Sequence, residues 1–449
     1  MSTTIKVKKG LDIQLIGAAA KNTINISPKT FASKPIDFIG VYPKVLVHEG
    51  DQVMAGTPLY FNKHSEQVVF TAPVSGTVKE IRRGPKRVLL EIIIEAGQTI
   101  EYVDFGKADP NSLTREQIIE KMLKSGIWPV IRQRPYSVIA KPEDNPKAIF
   151  IPAFDTSPLA PDYNYIVEGE AEAFQTGVDV LRKLTSGEVH LNVLDNPATS
   201  NIFLETKGVQ INRFIGPHPT GNVSAQISRL DPINKGDVVW YLRPQEVLII
   251  GRLFLSGKYD ATKRYALTGS MIKKPAYFKS LAGACIYDMV NDNTLEGNPR
   301  YISGNVLTGS RINQDGYAGF YDSQITVIPE GDYYEFFGWA TPGLNKYSFY
   351  GQFFSWLNPK KKYSLDTNLH GGERAFVMTG KYEKVFPFDI YPMQLIKAIL
   401  VEDIELMENL GIYEIDDEDF ALVEFIDTSK TEIQAIVRKG LNLMRAEMT

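Results

Sequence analysis

The sequence predicts a multidomain protein of mixed α+β and α/β class. A small antiparallel β module comes first, followed by a domain on parallel strands, a second β-rich module and a helical C-terminal region. Three observations predict this order. The chain has 449 residues, too many for one hydrophobic core, and 43% are apolar, so it is globular. Across residues 42–95 short apolar runs alternate with turn residues about every eight to twelve positions, the rhythm of short antiparallel strands. After residue 148 the pattern changes to uninterrupted apolar strands separated by helical segments, the rhythm of a parallel sheet.

The first module is read over residues 1–104. Its apolar runs are 45–47, 59–61, 68–70 and 88–94, with reversals at Gly50-Asp51, Gly56, Ser75-Gly76 and Gly84-Pro85. Glycine tolerates positive φ and proline presets φ near about −65°, so the chain can turn there. HEGDQVMAG and TAPVSGTVKEI resemble the two hairpins of the biotinyl/lipoyl-carrier fold, a barrel-sandwich hybrid. Such carriers swing a cofactor from a lysine at a hairpin tip. Counting from the flanking motifs puts that tip at Ser65 or Glu66, neither a lysine, and Lys63 stands in FNKHS without small or acidic neighbours. The expectation is a scaffold domain without a modified lysine.

Residues 105–147 read as a helix and a linker. Thr114 is a cap candidate, Ile118, Ile119, Met122 and Leu123 recur at helical spacing, and Ser125-Gly126 end the pattern. Residues 128–146 are proline-rich and basic, an extended docking segment. Residues 148–258 read as a Rossmann-like α/β domain: strands at 148–155, 188–195 and 208–214, a helix at 169–187 and another at 244–259. Its nucleotide-binding turn is missing. After AIFIPAFD comes TSPLAPDYN, without the glycines that let a backbone approach a pyrophosphate. GRLFLSGKY departs from a Walker A loop, since its glycines are one residue too far apart and Tyr259 stands for Ser/Thr. The loop GPHPTGN presents His218 on an irregular backbone, either as a structural turn or as a ligand contact.

Residues 259–335 read as strand pair, helix and strand pair, a β-grasp module, with the helix over SLAGACIYDMV. Residues 336–449 hold an aromatic segment and C-terminal helices. The aromatic segment, 336–363, is either a buried cluster or a contact surface for a membrane partner. Residues 393–411 read as one helix, and the acidic run 416–419 as a solvated helix start rather than a cation site.

Composition narrows the function classes. A net charge of −4 supplies no basic field for nucleic acid. The single cysteine, Cys285, sits among apolar neighbours and reads as packing; one cysteine excludes an internal disulfide and a Cys₄ cluster. The N-terminus lacks an apolar core long enough for a signal peptide, and no apolar run reaches membrane-spanning length. The five histidines are scattered, no nucleophile elbow occurs, and no catalytic or metal-ligating constellation emerges.

As a whole the chain is similar to the A subunits of the Na⁺-translocating NADH:quinone reductases. The residues that carry this are IKVKKGLDIQLIGAA, FTAPVSGTVKEIRRGPKRVL, FDTSPLAP, FIGPHPTGN, GRLFLSGKY, ISGNVLTG, FFGWATPGLNK and YEKVFPFDIYP, from residue 5 to about 392. That family is related to the NADH- and FMN-binding subunit of complex I and to the C subunit of Rnf complexes. It departs from both by lacking the flavin-binding glycine loop and the cluster cysteines. The resemblance implies a barrel-sandwich hybrid, a Rossmann-like domain and an SLBB-like β-grasp module. It also implies a peripheral protein on the cytoplasmic face of the cell membrane, partnered by the membrane-embedded B subunit of the complex together with its other subunits. No cofactor is expected on this chain; NADH, FAD, FMN, riboflavin and iron–sulfur belong to other subunits, and ubiquinone or menaquinone is the substrate. Quinone-contact or partner-interface candidates are Arg132, Arg134, Gly216, Pro217, His218, Gly221, Phe337 and Trp339. Two readings stand: a chain that forms part of a quinone site, and a structural adaptor that quinone never touches.

Overall fold

In the computed structural model, residues 4–338 and 342–448 are described. Four sheets organise the described residues. The largest has seven strands in the spatial order Thr4–Lys6, Gln210–Ile215, Val189–Leu194, Ile149–Pro152, Val239–Tyr241, Arg132–Arg134 and Val138–Ile139. The first five run parallel, Arg132–Arg134 runs antiparallel to them, and Val138–Ile139 pairs antiparallel with Arg132–Arg134.

Alternate residues of a strand face opposite sides, and here both sides are covered. Ile149, Ile151, Leu191 and Trp240 enter one core with helices Ala171–Leu184 and Pro244–Ser256. Phe150, Val239 and Tyr241 enter another with helix Val223–Leu230 and the C-terminal helices Pro392–Leu400 and Ile433–Met448. The uninterrupted apolar strands are thus explained by burial on two faces.

Helices Ala171–Leu184 and Pro244–Ser256 cross closely because Gly177 and Gly251 leave room. A Cβ on Gly251 would stand 1.8 Å from the Ala173 carbonyl oxygen, and one on Gly177 2.3 Å from that of Val247. Both obstacles are backbone, so the helices must separate to accept a methyl group. Gly251→Ala is expected to destabilise the chain by about 2–3 kcal/mol despite its better helix propensity. Urea unfolding measures this, and an unchanged midpoint would remove the role given to the crossing.

The N-terminal module pairs Pro43–Val45, Pro58–Asn62 and Ser65–Thr71 in one sheet and Thr30–Ser33, Leu89–Ala96, Gly76–Arg83 and Gln52–Val53 in another. Leu59, Tyr60, Val68, Phe70, Ile92 and Ile94 fill the space between, with the Tyr60 and Phe70 rings stacked 4.5 Å apart. The hairpin tip falls at Lys63 and His64, since Asn62 pairs with Ser65. Counting from the flanking motifs places it two residues later.

The module does not begin at the first residue. Thr4–Lys6 adds an edge to the seven-stranded sheet beside Gln210–Ile215, and Ala20–Asn25 adds one to the six-stranded sheet beside Ala276–Leu281. That six-stranded sheet orders Ser310–Ile312, Pro299–Ser303, Gln324–Pro329, Thr262–Thr268, Ala276–Leu281 and Ala20–Asn25. Residues 4–25 therefore strap two downstream modules together. Likewise 132–139, expected as linker, forms two strands of the parallel domain's antiparallel edge.

Two helical expectations are corrected. The helix expected over 280–290 is confined to Tyr287–Val290, because Ser280 and Leu281 finish a strand held between Thr262–Thr268 and Ala20–Asn25. The helix expected over 393–411 is two helices, Pro392–Leu400 and Ile404–Asn409. Glu402, at φ 57°, takes the left-handed conformation between them, and Asp403 caps the second by accepting from the Leu406 N–H at 3.0 Å. Among the described residues no helix is long and apolar enough to cross a membrane.

Candidate functional site

A cavity of about 240 Å³ opens at the carboxyl edge of the parallel strands. Asp155 lies just past strand Ile149–Pro152, and Arg243 just past its neighbour Val239–Tyr241. The chain leaves Ile149–Pro152 towards Val189–Leu194 on one side, while Val239–Tyr241 flanks it on the other. Strand order reverses there, which is where open α/β sheets form a crevice. The six-stranded module closes one wall with Tyr321, Asp322 and Gln324, and the C-terminal region another with Asp416, Asp417 and Arg438.

Arg132 and Arg134 meet in this place because they share a face of one strand. Arg132 lies directly across from Tyr241, and Arg134 across from Val239. The Arg132 guanidinium stands 4.5 Å from the Tyr241 ring centre and 4.2 Å from that of Tyr321; Arg134 lies 5.0 Å from the same Tyr241 ring.

Their fates differ. Arg134 is fully buried and ion-paired with Asp416 at 2.6 Å and Glu418 at 2.8 Å. Arg438 pairs with Asp416 and Asp417 and donates to the Tyr136 carbonyl at 2.9 Å. Burial alone would raise the Asp416 carboxyl, but Arg134 and Arg438 outweigh it and hold the group well below the usual range. Burial, then the Asp416 charge, pushes Asp417 up to about 6; burial, then Glu418, pushes Asp419 up to about 7. The acidic run is therefore no solvated helix start. Asp416 and Asp419 do cap the turn Asp417–Phe420, with the Asp416 N–H donating to Asp419 Oδ2 at 2.8 Å, but both are buried: Asp416 meets Arg134 and Arg438, and Asp419 accepts from Asn222 Nδ2 at 3.2 Å.

The 216–222 loop lies behind one wall of the cavity. The His218 N–H donates to Asp12 Oδ1 at 2.9 Å, its carbonyl accepts from the Leu11 N–H at 2.8 Å, and its Nδ1 lies 3.1 Å from Thr156 Oγ1. The Gly221 N–H donates to that same Thr156 Oγ1 at 2.9 Å. A Cβ on Gly216 would stand 2.3 Å from the Val7 carbonyl oxygen, and one on Gly221 2.6 Å from the Thr156 nitrogen. Pro217 accepts from Thr220 Oγ1 at 2.5 Å. These residues fasten the N-terminal strap to the parallel domain.

Burial holds the His218 imidazole down at about 4, against partial opposition from Asp155 and Asp12. Between pH 6.5 and 4 the unfolded histidine takes up a proton that the folded one refuses, so this site loses stability as pH falls through that window. Asp37, raised to about 6 by burial, and the raised Asp417 and Asp419 act with the opposite sign, so only a comparison with a variant isolates the histidine. The stability difference between wild type and His218→Asn is expected to shrink by about 3 kcal/mol from pH 7 to pH 4. Urea unfolding at both pH values reads it; a pH-independent difference would contradict a neutral, buried imidazole.

Phe337 lies elsewhere. It is exposed, at φ 52°, edge-on to Phe336 with ring centres 4.5 Å apart. Trp339 lies outside the described residues. In the same stretch of chain the large side chains Tyr334, Phe336, Leu344, Phe354, Trp356 and Leu357 are exposed, Tyr334 and Phe336 almost wholly, whereas Phe353 is buried. The structure thus gathers Arg132 and Arg134, sets His218 behind them, and leaves Phe337 exposed away from the cavity. Sequence reasoning missed Tyr241, Tyr321, Asp155, Arg243 and Arg438. A charged residue following each of two neighbouring apolar strands was the available signal for Asp155 and Arg243.

Comparison with known proteins supplies the remaining observations. Three family models match in chain order: the NqrA N-terminal barrel-sandwich hybrid domain over residues 5–97, the NqrA second alpha/beta domain over 113–259, and the NQRA C-terminal domain over 265–314. The chain is 37% identical over 448 residues to the A subunit of the Na(+)-translocating NADH-quinone reductase of Yersinia pestis bv. Antiqua (strain Angola), with 99% of this chain and 100% of that protein covered. It is 36% identical to that of Hahella chejuensis, again covering 99% and 100%, and 34% identical to that of Rhodopirellula baltica, covering 100% of both. Among solved structures, a chain of an NAD+-reducing [NiFe]-hydrogenase in the air-oxidized state matches at 10% identity and a TM-score of 0.39 over 75% of this chain and 64% of that one.

Proposed function

The chain belongs to the NqrA family, the A subunits of Na(+)-translocating NADH-quinone reductases, and on that premise we propose that it is the complex's peripheral quinone-contacting component. It meets the quinone and the membrane-embedded B subunit through the exposed apolar surface of Phe336, Phe337, Phe354, Trp356 and Leu357, on the cytoplasmic side. The observation that carries this reading is that surface. A quinone needs apolar walls with few polar groups, and Phe336, Phe337, Phe354, Trp356 and Leu357 supply apolar area. The Arg132 cavity is a poor alternative, since arginines and carboxylates line it. The chain holds no redox cofactor of its own. Supporting this, Cys285 is the one cysteine, and no glycine-rich turn follows Ile149–Pro152. In the same reading the seven-stranded sheet is of the Rossmann-like class and the six-stranded one of the β-grasp class.

Hydrogen–deuterium exchange on the free chain and the assembled complex tests the proposal. Residues 333–357 are expected to gain protection on assembly and more when a quinone is added. Protection on assembly with no further change on adding quinone would leave the adaptor reading in its place. The second reading has its own support: Arg134 and the His218 loop join modules.

A further inference from the structure

We propose that the cavity at the carboxyl edge of the parallel sheet is a binding site for a small organic monocarboxylate, received by Arg132. The proposal is independent of the quinone reading. Arg132 is the cavity-lining arginine left without an acceptor. Arg243 pairs with Asp155 at 3.3 Å and donates to the Tyr163 hydroxyl at 3.2 Å, and Arg438 pairs with Asp416 and Asp417. Among the described residues no hydrogen bond or ion pair engages the Arg132 guanidinium, and its Nε is buried with no partner. Leaving a charged donor so placed is costly unless something outside the chain accepts from it.

The guanidinium is also held in place. It lies between the Tyr241 and Tyr321 rings, at 4.5 and 4.2 Å from their centres. Each ring is tethered. The Tyr321 hydroxyl donates to the Pro129 carbonyl at 2.6 Å, and the Tyr241 hydroxyl lies 2.8 Å from Ser137 Oγ, which donates to Asp416 Oδ2 at 2.6 Å. A planar fork fixed between two rings loses little freedom on binding and matches a carboxylate with two parallel hydrogen bonds.

Two observations choose the ligand class. Five carboxylates line the cavity, Asp155, Asp322, Asp416, Asp417 and Glu418; arginines already pair with all but Asp322, so Arg132 is the one cation left to match a single negative charge and a phosphate dianion is disfavoured. The helix N-terminus nearest the cavity does not cradle phosphate: Pro244 lacks an N–H, and Glu246 already accepts from the Arg243 N–H at 3.1 Å. The volume of about 240 Å³ admits a molecule of benzoate's size, and Ser323, Gln324, Asn305 and Gln434 offer neutral hydrogen-bonding groups for its remainder.

The test is isothermal titration of the purified full chain with sodium benzoate, with its neutral isostere benzamide, and with sodium phosphate at matched ionic strength. Saturable one-site binding of benzoate is expected, with benzamide and phosphate weaker by about tenfold or more. Arg132→Gln is expected to lower benzoate affinity by about tenfold or more while leaving the 216–222 loop and Arg134 pairings intact. Arg132→Lys, which keeps stem and charge, covers the case in which the glutamine variant fails to fold; losing the fork should still weaken benzoate several-fold. Absence of saturable benzoate binding, equal binding of benzamide, tighter binding of phosphate, or unchanged affinity in both variants would each overturn the proposal.

Discussion

Arg134→Ala is expected to destabilise the chain by about 3–5 kcal/mol, as removal of one partner from a buried ion network does. The side chain is 2% exposed and faces Asp416, itself 4% exposed, and the partly exposed Glu418. Truncation leaves Asp416 with Arg438 alone and Glu418 without its ion-pair partner. The loss falls at a junction: Arg134 belongs to the parallel domain's edge, its acids to the C-terminal region. Urea unfolding should show an earlier midpoint, or a separate early transition of the C-terminal helices. Combining Arg134→Ala with Asp416→Asn should cost less than the sum of the two, because they share the interaction. A loss under about 1 kcal/mol would mean that this junction is held by its apolar contacts alone.

Phe336→Ser combined with Trp356→Ser is expected to leave the free chain's stability nearly unchanged and to weaken its assembly with the rest of the complex by on the order of 10²–10³-fold. Both side chains are more than half exposed, so little folded-state packing is lost, whereas an aromatic anchor at an interface carries a disproportionate share of affinity. Co-purification of the complex at graded concentrations reads the effect. Undiminished assembly and quinone reduction would separate this surface from both roles proposed for it.

Legibility in the sequence follows the reach of the interactions involved. Ile149–Pro152 and Val189–Leu194 are readable because burial on two faces leaves a largely apolar run that is detected locally. Thr4–Lys6 and Ala20–Asn25 are not, since each is short, largely exposed, and paired with a strand about 200 residues away or more. Arg132–Arg134 reads as linker because its face is polar, and that face becomes intelligible only when Tyr241 and Asp416 arrive opposite it. For the same reason 416–419 resembles a solvated helix start: an acidic run is ordinarily solvent-exposed, and nothing local announces arginines from 134 and 438. His218 stands out by its loop chemistry, but its partners Asp12 and Thr156 come from two distant segments, and they make it a fastening. Phe337 stands out by aromatic density, which identifies apolar surface without saying whether it is covered.

The measurement that bears most directly on the quinone role is photolabelling of the assembled complex with a light-activated quinone analogue, followed by mass-spectrometric mapping of the adducts. Adducts on this chain within residues 333–357, competed away by excess unlabelled quinone and absent from Arg132 and Tyr241, are the expected result. Adducts confined to other subunits, with this chain unlabelled, would contradict it and leave the chain as an adaptor.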